Sequence, residues 1–175
     1  RALDELFASA AWQGLPPLKT RFGLHTGEAL VGHFGTDERL AYTALGDSVN
    51  LSARLEGLCK SYGVTVLVSE SVAEAAREAF VFRLVDRVAV KGKLKGVNVY
   101  ELVGERTAST AVVELHQTYE RAFAAYENRD FEGALGLLAG QLLDGPSKVL
   151  FARCRAYLAS PPPPVWNATH VALEK

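Results

Sequence analysis

Apolar residues fall at Leu3, Leu6, Phe7 and Ala10, the spacing of one helical face, and Gly14 to Pro17 closes that segment. Lys19 to His25 alternates and predicts a strand. Thr26-Gly27-Glu28 interrupts it, and Ala29 to Gly32 resumes extended chain. Leu40 to Leu45 reads as a further short strand. Gly46-Asp47-Ser48 then offers helix N-caps. Val49 to Ser61 follows as a helix, with Leu51, Leu55 and Leu58 on one stripe and Gly63 to close it. Val64 to Val68 is a β-branched run, a buried strand. Ser69 caps a helix from about Glu70 to Ala79, and strands follow at Phe80 to Val90 and Val97 to Val103. The order strand–strand–helix–strand–helix–strand–strand predicts an α+β sheet with helices packed on it, ending near Gly104.

Beyond Thr110 the pattern turns all-helical. Val112 to Asn128, Asp130 to Leu143 and Ser147 to Ala159 each carry a helical period, with breaks at Arg129-Asp130 and Gly145-Pro146. Tyr126, Asp130, Ala134 and Pro146 match the spacing of a tetratricopeptide repeat, although Gln141 stands where that repeat wants a small residue. A helical hairpin packed on its own neighbour fits the same pattern equally well. Pro161 to Pro164 is a stiff connector, and Trp166 beyond it is expected to dock on another part of the protein or on a partner. The chain thus divides into 1–104, a helical tail over 105–160, and a proline-rich segment over 161–175.

Composition narrows the function classes. A net charge of −1 gives no bulk attraction to nucleic acid or an anionic membrane. No apolar run approaches the roughly 18 residues of a membrane span. Cys59 and Cys154 sit far apart inside apolar helical patterns, as buried reduced thiols do. The chain has no methionine and begins at Arg1 in mid-pattern, as a piece of a longer protein would.

Three segments carry candidate chemistry. In Gly46-Asp47-Ser48-Val49-Asn50-Leu51-Ser52-Ala53-Arg54, Asn50 and Arg54 lie four apart and share a helix face. An amide beside a guanidinium near a helix N-terminus suits ribose and phosphate oxygens. On spacing alone a solvated face, with Arg54 pairing to Glu56 or Glu70, is the plainer reading. Lys91, Lys93 and Lys95 alternate in a glycine-flanked loop that can present ammonium groups to a polyphosphate; an ordinary charged hairpin fits as well. Gly23-Leu24-His25-Thr26-Gly27-Glu28 contains a histidine, but no second ligand at metal spacing, so a packed strand histidine is favoured over zinc. Neither G-x-x-x-x-G-K-[ST] nor G-x-G-x-x-G is present.

Together these segments resemble the class III adenylate and guanylate cyclases. Arg21-Phe22-Gly23-Leu24-His25-Thr26-Gly27-Glu28 with Val31-Gly32, Tyr42-Thr43, Gly46-Asp47-Ser48-Val49-Asn50, Ala53-Arg54-Leu55-Glu56, Val90-Lys91-Gly92-Lys93 and Tyr100-Glu101-Leu102 stand in that family's order over residues 1–104. The resemblance implies a ferredoxin-like cyclase sheet, incomplete at its N-terminus, that pairs as a homodimer with ATP between the two domains. It implies that Asn50 orients the ribose and Arg54 stabilises the pentavalent phosphorus. Lys91 would hold the terminal phosphates. Thr43 would select the purine, with Ala44 and Leu45 lining the base pocket, mainly through backbone. Thr43 favours ATP; the alternatives are a guanylate cyclase or a catalytically dead nucleotide-sensing module. Two ions, Mg2+ or Mn2+, are expected on aspartates upstream of Arg1, so no metal ligand is expected here and this piece alone should be inactive. The ending of the tail, Pro161 to Trp166 and Glu174-Lys175, resembles that of bacterial membrane-anchored cyclases with an extracytoplasmic sensor. That implies a sensor upstream, a cytoplasmic location for this part and an inner-membrane anchor in the parent; a protein partner for the tail is a separate expectation.

Overall fold

The structure is a computed structural model that describes residues 5, 7, 8, 19–36, 38–89, 96–106 and 110–170, the backbone alone over 110–114. Of the expected first helix, Glu5, Phe7 and Ala8 are helical; the rest of it lies outside the described residues, as does the lysine-bearing loop with Lys91.

The cyclase-like part holds a four-stranded sheet and a separate hairpin. Strands β1 (Phe22–Leu24), β4 (Val66–Ser69), β6 (Val97–Glu105) and β5 (Phe80–Val88) lie side by side in that order. β1 runs parallel to β4, with Phe22 opposite Val66, and the other pairings are antiparallel. A parallel pair needs a crossover, and α1 (Asp47–Tyr62) supplies it. Between β1 and α1 the chain makes the antiparallel hairpin β2 (Leu30–Thr36) and β3 (Arg39–Leu45), in which Thr43 faces Gly32 and Ala44 faces Val31.

α1 forms because its apolar residues repeat at helical spacing. Leu51, Leu55, Cys59 and Tyr62 are buried on one stripe. They meet Leu67, Val85, Val88 and Val99 of the sheet in one core, with Leu58 half-buried beside them. Gly63 ends the helix in the left-handed region (φ 68°), where a Cβ is disfavoured. The start differs from expectation. Gly46, at φ 145°, is itself the N-cap and no side chain caps the helix. Ser69 likewise precedes α2 (Glu70–Ala76) without capping it: its hydroxyl bonds His25 Nδ1 at 2.8 Å and Ser71 Oγ at 3.0 Å instead.

The tail contains α3 (Thr110–Glu127), α4 (Phe131–Leu138) and α5 (Gly145–Ala159). Asp130 caps α4 by accepting from the Gly133 amide, and Asp144 caps α5 by accepting from the Ser147 amide. Gly145 and Pro146 therefore begin α5, and the break expected there falls at residues 139–144. Proline suits the first turn because its missing N–H would be unpaired there. Trp166 docks edge-on to Tyr126, Phe131 and Tyr157, with centroids 5.0–5.8 Å apart. Cys59 and Cys154 are buried and unpaired; burial pushes the Cys154 thiol up to about 11.

Tail and sheet share a polar seam along β5. Buried Arg83 bridges Glu101 of β6 and Asp144, the latter at 2.9 Å. The Tyr119 hydroxyl donates to the Val85 carbonyl at 2.5 Å. At the far end of β5 the C-terminal segment adds a bridge: His170 N–H donates to the Arg87 carbonyl and the Ala89 N–H donates to the His170 carbonyl.

Candidate functional site

The site grows from one continuous stretch, β3–Gly46–α1. Thr43, Ala44 and Leu45 end β3, and five residues on from Leu45 the first turn of α1 carries Asn50. The Asn50 amide N–H closes that turn on the Gly46 carbonyl at 3.1 Å. Arg54 follows one turn on, on the same face as Asn50. The neighbouring stripe, Leu51 and Leu55, about 100° round the helix, is buried, which fixes the rotation of the helix and sets the Asn50–Arg54 face at the edge of the core. Thr43 and Asn50 are exposed, and Ala44 and Arg54 are half-buried. The structure thus gathers Thr43, Ala44, Leu45, Asn50 and Arg54 onto one strand-to-helix unit. Glu70, offered by sequence as an alternative partner of Arg54, accepts from Asn98 Nδ2 at 2.9 Å and from the Tyr100 hydroxyl at 3.5 Å.

β1 holds this unit at close range. A Cβ on Gly23 would lie 2.1 Å from the Ser52 carbonyl oxygen and 2.4 Å from the Glu56 amide nitrogen, so only glycine lets β1 approach the α1 backbone this closely. Gly27 lies against the first turn of α1, where a Cβ would meet Ser48 Oγ at 2.4 Å. His25 lies just past the end of β1, not in the strand, and is half-buried with its Nδ1 on the Ser69 hydroxyl at 2.8 Å.

Sequence reasoning missed a second group of residues, which anchors α1 from behind. Tyr62, at the end of the buried stripe, donates its hydroxyl to Asp86 of β5. Arg153 of α5 grips both oxygens of the same carboxylate, at 3.1 and 2.8 Å. Burial and the Asp86 charge hold the Tyr62 phenol well above its ordinary range. Burial works against the Arg153 guanidinium, but its bonds to Asp86 and that carboxylate's charge outweigh it, so the cation is reinforced. A signal did exist, since Asp86 and Arg153 are charged residues in otherwise apolar patterns. Their separation of 67 positions hid the pairing.

Among the described residues no group of three or more His, Cys, Asp or Glu is placed to hold a metal ion. The β3–α1 residues offer a ligand amide, hydroxyl and guanidinium chemistry. No described helix is long and apolar enough to cross a membrane.

A sheet crossed by α1, with a glycine-tight β1 and an amide–guanidinium pair projected beside a short hairpin, is the framework of a nucleotide-cyclase catalytic domain. The family described as the adenylate and guanylate cyclase catalytic domain matches residues 3–104, and the chain belongs to it. The chain is similar to adenylate cyclase 1 of Rhizobium meliloti (strain 1021), at 47% identity over 91 residues, 52% of this chain and 14% of that protein. It is also similar to the terminal-differentiation-specific adenylate cyclase of Dictyostelium discoideum, at 36% identity over 163 residues, 88% of this chain and 8% of that one. The second match extends past the cyclase domain into the helical tail. Among solved structures, the adenylyl cyclase CyaB from P. aeruginosa aligns with 30% identity and a TM-score of 0.49, over 61% of this chain and 54% of that one. The chain therefore spans only a small part, 14% and 8%, of these two curated relatives.

Proposed function

We propose that the protein carrying this chain is an adenylate cyclase, which converts ATP to 3′,5′-cyclic AMP and pyrophosphate. In this reading the chain contributes the base, ribose and phosphate side of the site. The observation that carries it is the β3–Gly46–α1 unit, which presents Thr43, Ala44, Leu45, Asn50 and Arg54 from one rigid strand-to-helix step inside a family-matched segment. The two similar adenylate cyclases support ATP as the substrate.

The chemistry follows from the groups. The ribose 3′ oxygen attacks the α-phosphorus and loses its proton, the new O–P bond forms, and the bond to the β-phosphate oxygen breaks. Asn50 orients the ribose through its amide. Arg54 stabilises the charge that builds on the pentavalent phosphorus. One such preorganised donor is worth about 10²- to 10³-fold in rate. Thr43 reads the purine edge, Ala44 and Leu45 line the base mainly through backbone, and Lys91 holds the terminal phosphates. Mg2+ or Mn2+ would be held by carboxylates outside the described residues.

The dimer belongs to the same reading. Phe22, Leu24, Leu30, Val31, Tyr42 and Leu45, on β1 and the hairpin, are all more than 40% exposed. So much apolar surface in one region supports a second catalytic domain lying over it.

The test is to supply the complete protein with ATP and GTP in parallel, with Mg2+ or Mn2+. Cyclic AMP should form in preference to cyclic GMP, and the 175-residue chain alone should form neither. Thr43→Asp should keep the preference for ATP, because both side chains can accept from the adenine amino group. A switch to GTP would refute the purine-selecting role, and cyclic AMP from the isolated chain would refute the half-site reading.

A further inference from the structure

α1 holds the candidate catalytic pair in its first half and is gripped by the tail at its last residue. Its buried stripe ends at Tyr62, whose hydroxyl donates to Asp86. Asp86 is 1% exposed and also accepts from Arg153 Nη1 at 3.1 Å, Arg153 Nη2 at 2.8 Å and the Arg87 amide at 2.8 Å. The first residue of α5 abuts the same helix end. A Cβ on Gly145 would lie 1.9 Å from the Tyr62 carbonyl oxygen, so the two backbones touch. Val149, one turn further along α5, packs on the core that α1 buries.

A buried ion pair is often no more stabilising than well-packed apolar residues in its place. Its distinct property is direction. The apolar contacts of Leu51 and Leu55 carry no angular preference of their own, whereas a hydroxyl on a carboxylate that is itself clamped from two sides adds a directional constraint at the helix end. We propose that the tail is a built-in brace for the catalytic helix, with Tyr62 as the positioning residue through which Asp86 and Arg153 set the aim of Asn50 and Arg54. This rests on the cyclase reading above.

The lever is long enough to matter. Arg54 lies eight residues from Tyr62, about 12 Å along the helix at ~1.5 Å per residue. A tilt of about 5° about the Tyr62 end would move Arg54 by ~1 Å, and a misplacement of ~1 Å can cost about 10²-fold in turnover.

Tyr62→Phe in the complete protein is the clean perturbation. It removes one hydroxyl while Asp86 keeps Arg153 and the Arg87 amide, so no charge is stranded. We expect turnover to fall about tenfold, with affinity for a non-cyclisable ATP analogue within about twofold. The melting temperature should stay within about 3 °C. Unchanged turnover overturns the proposal. So does a fall matched by equal loss of analogue affinity or explained by unfolding, since a merely structural role predicts that. If the unmodified protein forms no cyclic nucleotide from ATP or GTP, the cyclase reading is what has failed. The brace is then judged by amide hydrogen exchange over residues 52–58. Exchange about threefold faster or more in Tyr62→Phe supports it, and an unchanged rate overturns it.

Discussion

Gly23→Ala strikes the close backbone contact between β1 and α1 and is expected to damage folding and turnover together. The added Cβ would sit 2.1 Å from the Ser52 carbonyl oxygen, 2.4 Å from the Glu56 amide nitrogen and 2.9 Å from Leu55 Cβ. Two of these are backbone atoms of α1, so no rotamer change relieves them. Ordinary contacts lie near ~3.5 Å, so α1 must retreat from β1 by roughly 1 Å. Overpacking of this kind costs about 1–3 kcal/mol. At about 2–4 °C per kcal/mol for a chain of this size, the melting temperature should drop by roughly 2–12 °C. Arg54 stands between Ser52 and Glu56 and moves with them, so turnover per folded molecule should fall by one to two orders of magnitude, about 10- to 100-fold. Thermal melts of the complete protein, paired with initial rates corrected for the folded fraction, check both effects. A Gly23→Ala protein that melts and turns over like the unmodified one would show that β1 and α1 are not in contact as described.

Two further outcomes bear on the seam between sheet and tail. Arg83 is buried between Glu101 and Asp144, so Arg83→Met leaves two carboxylates without their cation and should cost about 3–5 kcal/mol in denaturant unfolding; a loss below about 1 kcal/mol would contradict the seam. His116 is buried in the tail, and burial followed by the nearby Arg83 charge lowers it to about 4, with Asp144 opposing. The folded state therefore keeps it neutral while the unfolded chain protonates it near ~6.5. Its stabilising contribution is complete above that pH and is lost as pH falls toward about 4. His170, also lowered by burial and by Arg153, acts in the same sense. His116→Gln should flatten the fall in stability between pH 6.5 and 4, and an unaltered pH profile would refute the assignment.

The parts of the molecule legible in the sequence are those set by local rules. The α1 stripe, the β-branched run before Ser69 and the left-handed Gly63 each follow from residues within a few positions of one another, and the structure has them. Asn50 and Arg54 share a face for the same reason. Local rules failed where a distant partner outbid them. Ser69 looks like a cap, but His25, 44 residues away, takes its hydroxyl. At Gly145-Pro146 the reason is local instead: the pair looks like a break, but Asp144 next to it caps a helix whose first turn they form. In the Tyr62–Asp86–Arg153 chain the charged residues stand out in their apolar patterns, but the pairing could not be read, because neither names its partner until the fold brings them together.

The measurement that bears most directly on the central claim is the kinetics of Arg54→Ala in the complete protein with ATP. If Arg54 acts on the pentavalent phosphorus, kcat falls by about 10²- to 10³-fold while KM changes by less than about threefold. A KM that rises with kcat intact, or kinetics that do not change, would contradict it.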